Sequence, residues 1–382
     1  MYLKDRLAII TLIICLLGTL APLQAQQPAR TAPSPDKTSS EQEQDPVRVF
    51  TEEVRLQVLA KDSYGHFDPT LEPEDVLVLE DGVAQQVRSI QKVPANLLIV
   101  LDTGGGQSGL GGMSKRTDLT RDVATELLRK VNNEAWIALM QFNEKVELLQ
   151  PWTKDRKALT RVLKRRLLTG KRAHFSEAVA AAAQHLSARP EGTRHVVFIT
   201  DGVDSSEGGK TDRARAIQQL MEARATVHII SYTEFVRQRK RSDKRGVAVR
   251  QNPPGSDPIR ATDPTLPPGA TRSPSYGVSL RFDPAMRRQR IAYENQTRES
   301  QRLLTEVAEE TGGRIFLPLA RNEMIAQARE VATEIGAEYV ITYRPHRSLA
   351  ESNPGEYRRI EVASRRVGVN LRSRRGYVVT GP

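Results

Sequence analysis

Two predicted strands in this chain each end in an aspartate that is followed by a glycine turn. The first strand, Leu97–Asp102, runs into Thr103 and Gly104–Gly106, and the second, His195–Asp201, runs into Gly202. Both strands are nearly continuous apolar runs, which is typical of parallel strands that are covered on both faces. Ligands of such sheets bind beyond the carboxyl ends of the strands. Two carboxylates at that edge favour a hard cation such as Mg²⁺, provided that further oxygen ligands accompany them.

The elements that carry these aspartates alternate between strand and helix. An apolar stripe at helical spacing runs from Leu119 to Val131 after the first strand. This alternation predicts a doubly wound, Rossmann-like α/β domain built from residues 96–234 and 298–335. A short Asn143-Glu144 turn joins two strands of this domain, so we expect the second of them to be antiparallel at the sheet edge.

Two short β segments, residues 47–95 and 336–382, flank this domain. The first alternates apolar and polar residues and contains a hairpin signal at Glu80-Asp81-Gly82. Neither segment is large enough to form a stable sheet with its own core. We therefore expect them to pack together as one β-sandwich, with the α/β domain inserted between them.

Two other segments are predicted to be disordered. Residues 26–46 are rich in Gln, Pro, Ser and Thr and have little to bury, which predicts a disordered tether. Residues 235–297 are basic and rich in proline, and are predicted to form a disordered insertion within the α/β domain.

Residues 1–25 have the pattern of a secretory signal peptide. Lys4 and Arg6 precede an apolar stretch, and Ala25 provides a small residue for cleavage. The alternative is a retained membrane anchor, although the stretch is shorter than the roughly 20 residues that span a bilayer. The expected location is therefore secreted or periplasmic. Cys15, the only cysteine, lies in this segment, so the mature chain is expected to form no disulfide and no cysteine-based metal site.

The chain is strongly basic, with 57 Lys and Arg against 46 Asp and Glu and a net charge of +11. Such an excess is either a solvated surface or a means of binding an acidic protein or an anionic envelope surface. Nucleic acid is not expected as a partner, because aromatic residues make up only 5% of the chain and provide few platforms for base stacking.

Several motifs, taken in their order along the chain, resemble the von Willebrand factor type A domain and, more closely, the secreted bacterial VWFA-related proteins. The motifs are Val78-Leu79-Glu80-Asp81-Gly82, Leu98–Asp102, Ile199–Asp204, Thr311-Gly312-Gly313, Tyr339–Pro345 and Arg375-Gly376-Tyr377. The resemblance implies a doubly wound domain whose sheet top holds a metal-ion-dependent adhesion site. In that family an Asp-x-Ser-x-Ser loop, a threonine and a later aspartate bind a divalent cation, and the partner adds a carboxylate.

Measured against that pattern, the adhesion site of this chain is degenerate. Asp102 and Asp201 match the two aspartates, whereas Gly104 and Gly106 replace both serines and Ala173 replaces the threonine. The resemblance thus leaves two of the five protein ligands, so we expect weak Mg²⁺ binding or none, and no other cofactor. Substitute ligands would be Ser108, Ser176 and His174, although no spacing supports them. Alternatively, the two aspartates serve only the structure, by accepting backbone N–H bonds.

A basic rim precedes the position of the missing threonine. Lys171 and Arg172 lie closest to Ala173 in the sequence. They either form part of a solvated surface or supply the positive charge that a metal would otherwise provide to a carboxylate of the partner.

Other chemistries fit the sequence poorly. Asp102-Thr103-Gly104 has no second Asp-Thr-Gly or Asp-Ser-Gly with which to form an aspartic protease dyad. The glycine run that ends at Gly112 is not completed as a phosphate loop by Lys115. The six histidines show no metal-ligand pairing at helical spacing, and His195 is expected to be structural.

We therefore expect a non-enzymatic, exported protein-binding module that uses Asp102, Thr103, Gly104, Gly106, Ala173 and Asp201. The alternative is a structural or assembly component of the cell envelope that acts through the β-sandwich and the basic insertion.

Overall fold

A six-stranded, mostly parallel sheet forms the centre of the fold. The computed structural model describes residues 53–104, 114–189, 192–205, 209–242 and 284–379, all within the compact unit Thr51–Pro382. The strands lie side by side in the order β10 (Ile315–Phe316), β9 (Thr226–Ser231), β8 (Thr193–Thr200), β5 (Ala95–Asp102), β6 (Trp136–Phe142) and β7 (Val146–Thr153). Every neighbouring pair is parallel except β6 and β7, which confirms the antiparallel edge strand that the Asn143-Glu144 turn predicts.

Helices cover both faces of this sheet, as the apolar strands require. All eight residues of β5 are buried. One face is covered by α1 (Ser114–Lys130), α2 (Arg156–Arg165) and α7 (Arg321–Ala337), and α5 (Thr233–Ser242) packs at its border. The other face is covered by α3 (Phe175–Ser187), α4 (Gly209–Glu222) and α6 (Pro284–Glu310). This is the doubly wound α/β architecture.

The two flanking segments build a β-sandwich together, as predicted. The first sheet has the order β13 (Val369–Ser373), β1 (Val54–Asp62), β11 (Tyr339–Tyr343) and β4 (Val87–Gln91). The second has the order β14 (Gly376–Val378), β12 (Tyr357–Ser364), β2 (Val76–Glu80) and β3 (Val83–Gln85). Each sheet combines strands from both ends of the chain, and one apolar core lies between them. The β2–β3 turn has positive φ angles at Asp81 and Gly82, as tight hairpins require.

The disorder predicted for residues 235–297 is wrong at both ends of that segment. Helix α5 continues to Ser242, and α6 begins at Pro284. Helix α6 is ordered because its later residues Leu304 and Val307 pack on the sheet, and because Arg237 of α5 donates to the Thr297 hydroxyl and the Gln301 side chain. Contacts of this kind depend on tertiary structure, so the helix cannot be predicted from the local composition.

Several predictions concern residues that lie outside the described ranges. They are the signal peptide at 1–25, the tether at 26–46 and the middle of the insertion at 243–283. Within the described ranges, no helix combines the length and the apolar character needed to cross a membrane.

Candidate functional site

The carboxyl ends of β5 and β8, with the loops that follow them, form the candidate site, which we call the sheet top. Asp102 ends β5 and is buried. Its Oδ2 accepts hydrogen bonds from the Thr200 hydroxyl and the Tyr232 hydroxyl, both at 2.7 Å. Its Oδ1 accepts one from the Gly104 N–H at 3.0 Å. Both oxygens are therefore bonded within the protein, and a cation would have to compete with these donors.

Asp201 follows β8 and is also buried, so the structure brings both predicted aspartates to one edge of the sheet. Its Oδ1 accepts the Val203 N–H at 3.1 Å. The Thr200 hydroxyl links the two strand ends, because it donates to Asp102 and accepts the Gly202 N–H at 2.8 Å. Asp201 and Thr200 thus fix the turn after β8.

Gly202 fastens this turn to helix α6. Its carbonyl oxygen accepts the Ser300 hydroxyl at 2.6 Å. Its φ of +66° is in the left-handed region, and a Cβ there would overlap the Ser300 and Leu304 side chains. Glycine is therefore required at this position for two reasons, the backbone conformation and the close approach of α6.

Residues 168–174 form a loop that packs directly against Gly104. Gly104 and Gly170 form an isolated parallel bridge, and the Gly170 N–H donates to the Thr103 carbonyl at 3.0 Å. A Cβ on Gly104 would lie 2.8 Å from the carbonyl carbon of Arg172 and 2.9 Å from the Cβ of Ala173. A side chain at Gly104, where the resemblance leads us to expect the first serine ligand, would thus meet the Arg172 backbone. Gly106, where we expect the second serine, lies outside the described residues.

The turn between β6 and β7 holds this loop in place. The Asn143 side-chain amide donates to the Leu168 carbonyl at 3.2 Å and to the Thr103 hydroxyl at 3.3 Å. The Asn143 carbonyl also accepts the N–H of His174 at 3.0 Å. Thr103 is buried, and its N–H donates to the Phe142 carbonyl at 3.0 Å. Thr103 therefore serves as a connector between β5, β6 and the loop.

Glu144 binds the backbone of the basic rim. Its Oε1 accepts the Lys171 N–H at 2.5 Å and the Arg172 N–H at 3.3 Å. The Lys171 N–H bond holds the pKa of Glu144 below its usual range. The side chains of Lys171 and Arg172 remain exposed, and Leu168 of the same loop is 63% exposed. The loop therefore presents two cations and one apolar side chain on a backbone that is fixed by hydrogen bonds.

A carboxylate also caps α3 at the sheet top. Asp204 Oδ2 accepts the Ser176 N–H at 2.9 Å and the Ser176 hydroxyl. Ser205 reaches the same loop, because its N–H donates to the Ala173 carbonyl at 2.8 Å. The proposed substitute ligands have other bonds: Ser176 binds Asp204, and His174 Nδ1 lies 3.3 Å from Glu177. Ser108 lies outside the described residues.

Five residues of the sheet top did not enter the predicted site. Thr200 and Tyr232 bond Asp102, Asn143 and Glu144 bond the 168–174 loop, and Asp204 bonds Ser176 in α3. Thr200 directly precedes Asp201 and Asp204 follows it by three residues, so their closeness in sequence to a predicted ligand was a usable signal. Tyr232 directly follows β9 and Glu144 lies in the β6–β7 turn, and no local pattern marks either as part of the site.

The chain has a family match and several structural likenesses. Residues 97–203 match the model of the von Willebrand factor type A domain. No curated protein matches the chain. Among solved structures it is similar to a von Willebrand factor type A protein from Catenulispora acidiphila, at 11% identity over 87% of this chain and 75% of that chain, with a TM-score of 0.42.

Two further likenesses involve bacterial proteins. One is an aerotolerance-related membrane protein from Bacteroides fragilis NCTC 9343 with multiple mutations to serines, at 15% identity over 63% of this chain and 99% of that chain, TM-score 0.35. The other is the PilB minor pilin from Streptococcus sanguinis, at 11% identity over 65% and 62%, TM-score 0.39. Because these TM-scores are low, the assignment of a von Willebrand factor type A domain is based on the sequence match at residues 97–203 and on the strand order of the sheet.

The matched residues begin in β5 and end in the turn after β8, so they include both aspartates, the β6–β7 hairpin and the 168–174 loop. These are the elements that build the sheet top of a doubly wound domain. The chain therefore contains a von Willebrand factor type A domain.

Proposed function

We propose that the chain is an exported, non-catalytic protein-binding module that uses the sheet top without a strong divalent metal site. The observation that carries the proposal is the packing of the Arg172 backbone against Gly104. In this proposal the contact takes the place of a ligand side chain. It also brings the backbone of the basic rim against Gly104, whose N–H donates to the buried Asp102. The binding chemistry is therefore cationic side chains in place of a cation.

The partner that fits this surface is a protein with an exposed carboxylate. Arg172 offers a planar fork of donors to such a group, and Lys171 adds a second positive charge. Leu168 provides apolar area next to them. Because the loop backbone is already fixed by Asn143 and Glu144, little ordering entropy is lost when a partner binds.

The test is capture of partners from envelope extract by the mature protein, with the captured protein then titrated in pure form. We expect Lys171→Ala combined with Arg172→Ala to weaken binding by about 1–3 kcal/mol, which is the loss of a charged hydrogen-bonded pair. The matched control is Lys157→Ala combined with Arg161→Ala, which removes equal charge from exposed positions on α2. Equal losses in both double variants would show that net charge alone governs binding and would overturn the proposal.

Metal independence is tested in the same assay. We expect capture to survive EDTA, since the partner contacts protein cations. Loss of capture in EDTA that Mg²⁺ restores would mean that a metal holds the partner. Loss of capture on deletion of residues 243–283, with the rim variant unaffected, would favour the alternative of an envelope component that acts through its insertion.

Export rests on the sequence of residues 1–25. We expect protein from the native host to begin at Gln26 when its N-terminus is measured by mass spectrometry. An intact Met1 would instead favour a membrane anchor.

A further inference from the structure

Three side chains of metal-ligand type converge at the opposite end of the sheet from the candidate site. His195 lies near the start of β8, His228 lies in β9, and Glu338 lies between α7 and β11. Ligand atoms of the three residues all lie within 4.8 Å of one another. We call this group the His–His–Glu cluster.

The register of the sheet explains why the two histidines meet. His228 pairs with Val197 on the neighbouring parallel strand, two residues along from His195. Because side chains two apart in a strand share a face, His195 and His228 lie on the same face of the sheet. Their rings stack at a centroid distance of 6.2 Å, and His195 Nε2 lies 3.5 Å from Glu338 Oε2. The pairing therefore comes from adjacent strands, and a search at helical spacing misses it.

The cluster contains several buried polar atoms that have no hydrogen-bond partner. They are Nδ1 of His195, both ring nitrogens of His228, and Oε2 of Glu338. His195 and His228 are fully buried, and Glu338 is 6% exposed. Buried polar atoms are almost always paired in native proteins, and leaving one unpaired costs about 1–3 kcal/mol. His195 Nε2 lies 2.9 Å from the Thr193 hydroxyl, whereas each of the three side chains keeps at least one unpaired polar atom. One unpaired atom from each side chain in one place points to a bound ion.

We propose that His195, His228 and Glu338 bind a transition-metal dication of the zinc type in a structural site. Two imidazole nitrogens and one carboxylate oxygen are a ligand set that suits Zn²⁺, whereas Mg²⁺ and Ca²⁺ prefer oxygen alone. A water molecule would complete four-coordination. The ion would link Glu338 to strands β8 and β9 of the central sheet. Glu338 lies in the connection between α7 and β11, where the chain leaves the α/β domain for the sandwich.

Burial shifts the pKa values of all three side chains toward their uncharged forms. Burial lowers the pKa of His195 well below its usual value and that of His228 to about 4, so both rings are neutral and have a free lone pair. Burial raises the pKa of Glu338 to about 8, because nothing nearby fully compensates a carboxylate ion.

The surrounding charges set the expected strength. Glu334 Oε1 accepts from Lys61 at 2.8 Å and from Arg314 at 2.9 Å, and its Oε2 accepts from Arg372 at 2.6 Å. These three cations are thus paired with a carboxylate, although Arg374 also lies near Glu338. Because the neighbourhood remains net positive, we expect an affinity on the order of micromolar rather than the much tighter binding of a typical structural zinc site.

The test uses the full mature chain after metal is stripped with a chelator. Isothermal titration with Zn²⁺ is expected to give one site per chain, and Zn²⁺ is expected to raise the thermal midpoint. Co²⁺ is expected to bind the same site and to show the intense visible absorption of tetrahedral coordination. Excess Mg²⁺ should not displace either ion.

Two variants locate the site. His228→Gln and Glu338→Gln are each expected to weaken Zn²⁺ binding by about 100-fold or more. The control is His346→Gln, an exposed histidine of the sandwich, which should leave binding unchanged. If the buried variants fail to fold, the wild-type Co²⁺ spectrum and the ring ¹⁵N shifts of His195 and His228 on Zn²⁺ addition still decide the matter.

The proposal is overturned if the stripped protein binds no stoichiometric Zn²⁺ at micromolar concentration. It is also overturned if Co²⁺ gives only a weak octahedral spectrum, or if Glu338→Gln binds Zn²⁺ as the wild type does. The inference is independent of partner capture at the sheet top. A chelator should lower the thermal midpoint while capture persists, so either proposal can fail without the other.

Discussion

The backbone of Arg172 lies against Gly104 so closely that a Cβ on the glycine would be 2.8 Å from the Arg172 carbonyl carbon. Real Cβ atoms do not approach backbone atoms to this distance. The glycine at this position and the path of the 168–174 loop are therefore two parts of one arrangement. Restoring the side chain of a metal-binding serine would require the loop to move.

Restoring two of the three expected missing ligands, at Gly104 and Ala173, should therefore not restore a metal site. We expect Gly104→Ser combined with Ala173→Thr to lower the free energy of unfolding by about 1–3 kcal/mol, the cost of overpacking a filled space. The matched control is Gly336→Ser on α7, where a Cβ would meet nothing closer than 4.0 Å. Denaturant unfolding measures the first effect and Mg²⁺ titration the second. A micromolar Mg²⁺ site in the double variant would show that the loop yields readily.

In the wild-type chain, we expect Mg²⁺ affinity at the sheet top to be millimolar or weaker. Asp102→Ala should leave the titration with Mg²⁺ or Mn²⁺ unchanged, while it lowers stability by about 1–3 kcal/mol because the Thr200 and Tyr232 hydroxyls lose their acceptor. Tyr232→Phe removes a single donor and should cost less. A stoichiometric micromolar site that disappears in Asp102→Ala would contradict this prediction.

Glu144 should govern the order of the basic rim more than the stability of the whole fold. In Glu144→Ala, the amide protons of Lys171 and Arg172 lose their acceptor, and we expect them to exchange with solvent faster. Glu147→Ala, which removes the exposed ion pair with Arg166, is the control and should leave those two amides unchanged. Hydrogen exchange followed by mass spectrometry or NMR is the measurement. Unchanged protection at Lys171 in Glu144→Ala would exclude this role.

Glu126 should make stability fall in acid. Its side chain accepts hydrogen bonds from Arg129 of the same helix and from Arg329 of α7. These contacts lower the pKa of Glu126 from 4.5 to about 2, and the hydrogen bond from Arg129 contributes most. The folded pKa lies below the unfolded one, so the stabilisation is complete above about pH 4.5 and is lost as the pH falls toward 2.

Comparison of Glu126→Gln with the wild type checks this sign. We expect the variant to be less stable at pH 7 by on the order of 1–3 kcal/mol, since both arginines are partly screened by solvent, and the difference to shrink toward pH 2. Glu134→Gln, which removes an exposed pair with Lys154, should show almost no difference at any pH. A gap for Glu126→Gln that widened in acid would refute the assignment.

The way in which the chain is divided between the α/β domain and the β-sandwich predicts which fragments fold alone. Both neighbours of β1, namely β11 and β13, come from the C-terminal segment. Residues 26–94 alone therefore lack the partners of their longest strand, and we expect an unfolded fragment. Residues 96–335 contain the six-stranded sheet and its helices except for the first residue of β5 and the last two of α7, and we expect them to fold alone. Amide NMR spectra of the two fragments test this, and a dispersed spectrum for 26–94 would contradict it.

Much of the fold could be predicted because its signals are local. A few consecutive residues are enough to predict each of three elements: the apolar strand β5, the Asn143-Glu144 turn and the Glu80-Asp81-Gly82 hairpin. The insertion was harder. Helix α6 is polar over much of its length, and it is stabilised by the sheet and by Arg237 of α5, which are distant in sequence.

For the candidate site, the sequence by itself predicted that Asp102 and Asp201 come at the carboxyl ends of two apolar strands. The family resemblance added the expectation that the serine and threonine ligands are replaced. Only the tertiary structure decided what fills their place. Arg172 packs on Gly104, Tyr232 and Thr200 bond Asp102, and His228 meets Glu338 because strands and loops far apart in the chain come together. The physical reason is that each position of the sequence specifies only its own residue type. The hydrogen-bond partners of that residue and the space around it depend on segments that are distant in sequence and packed against it.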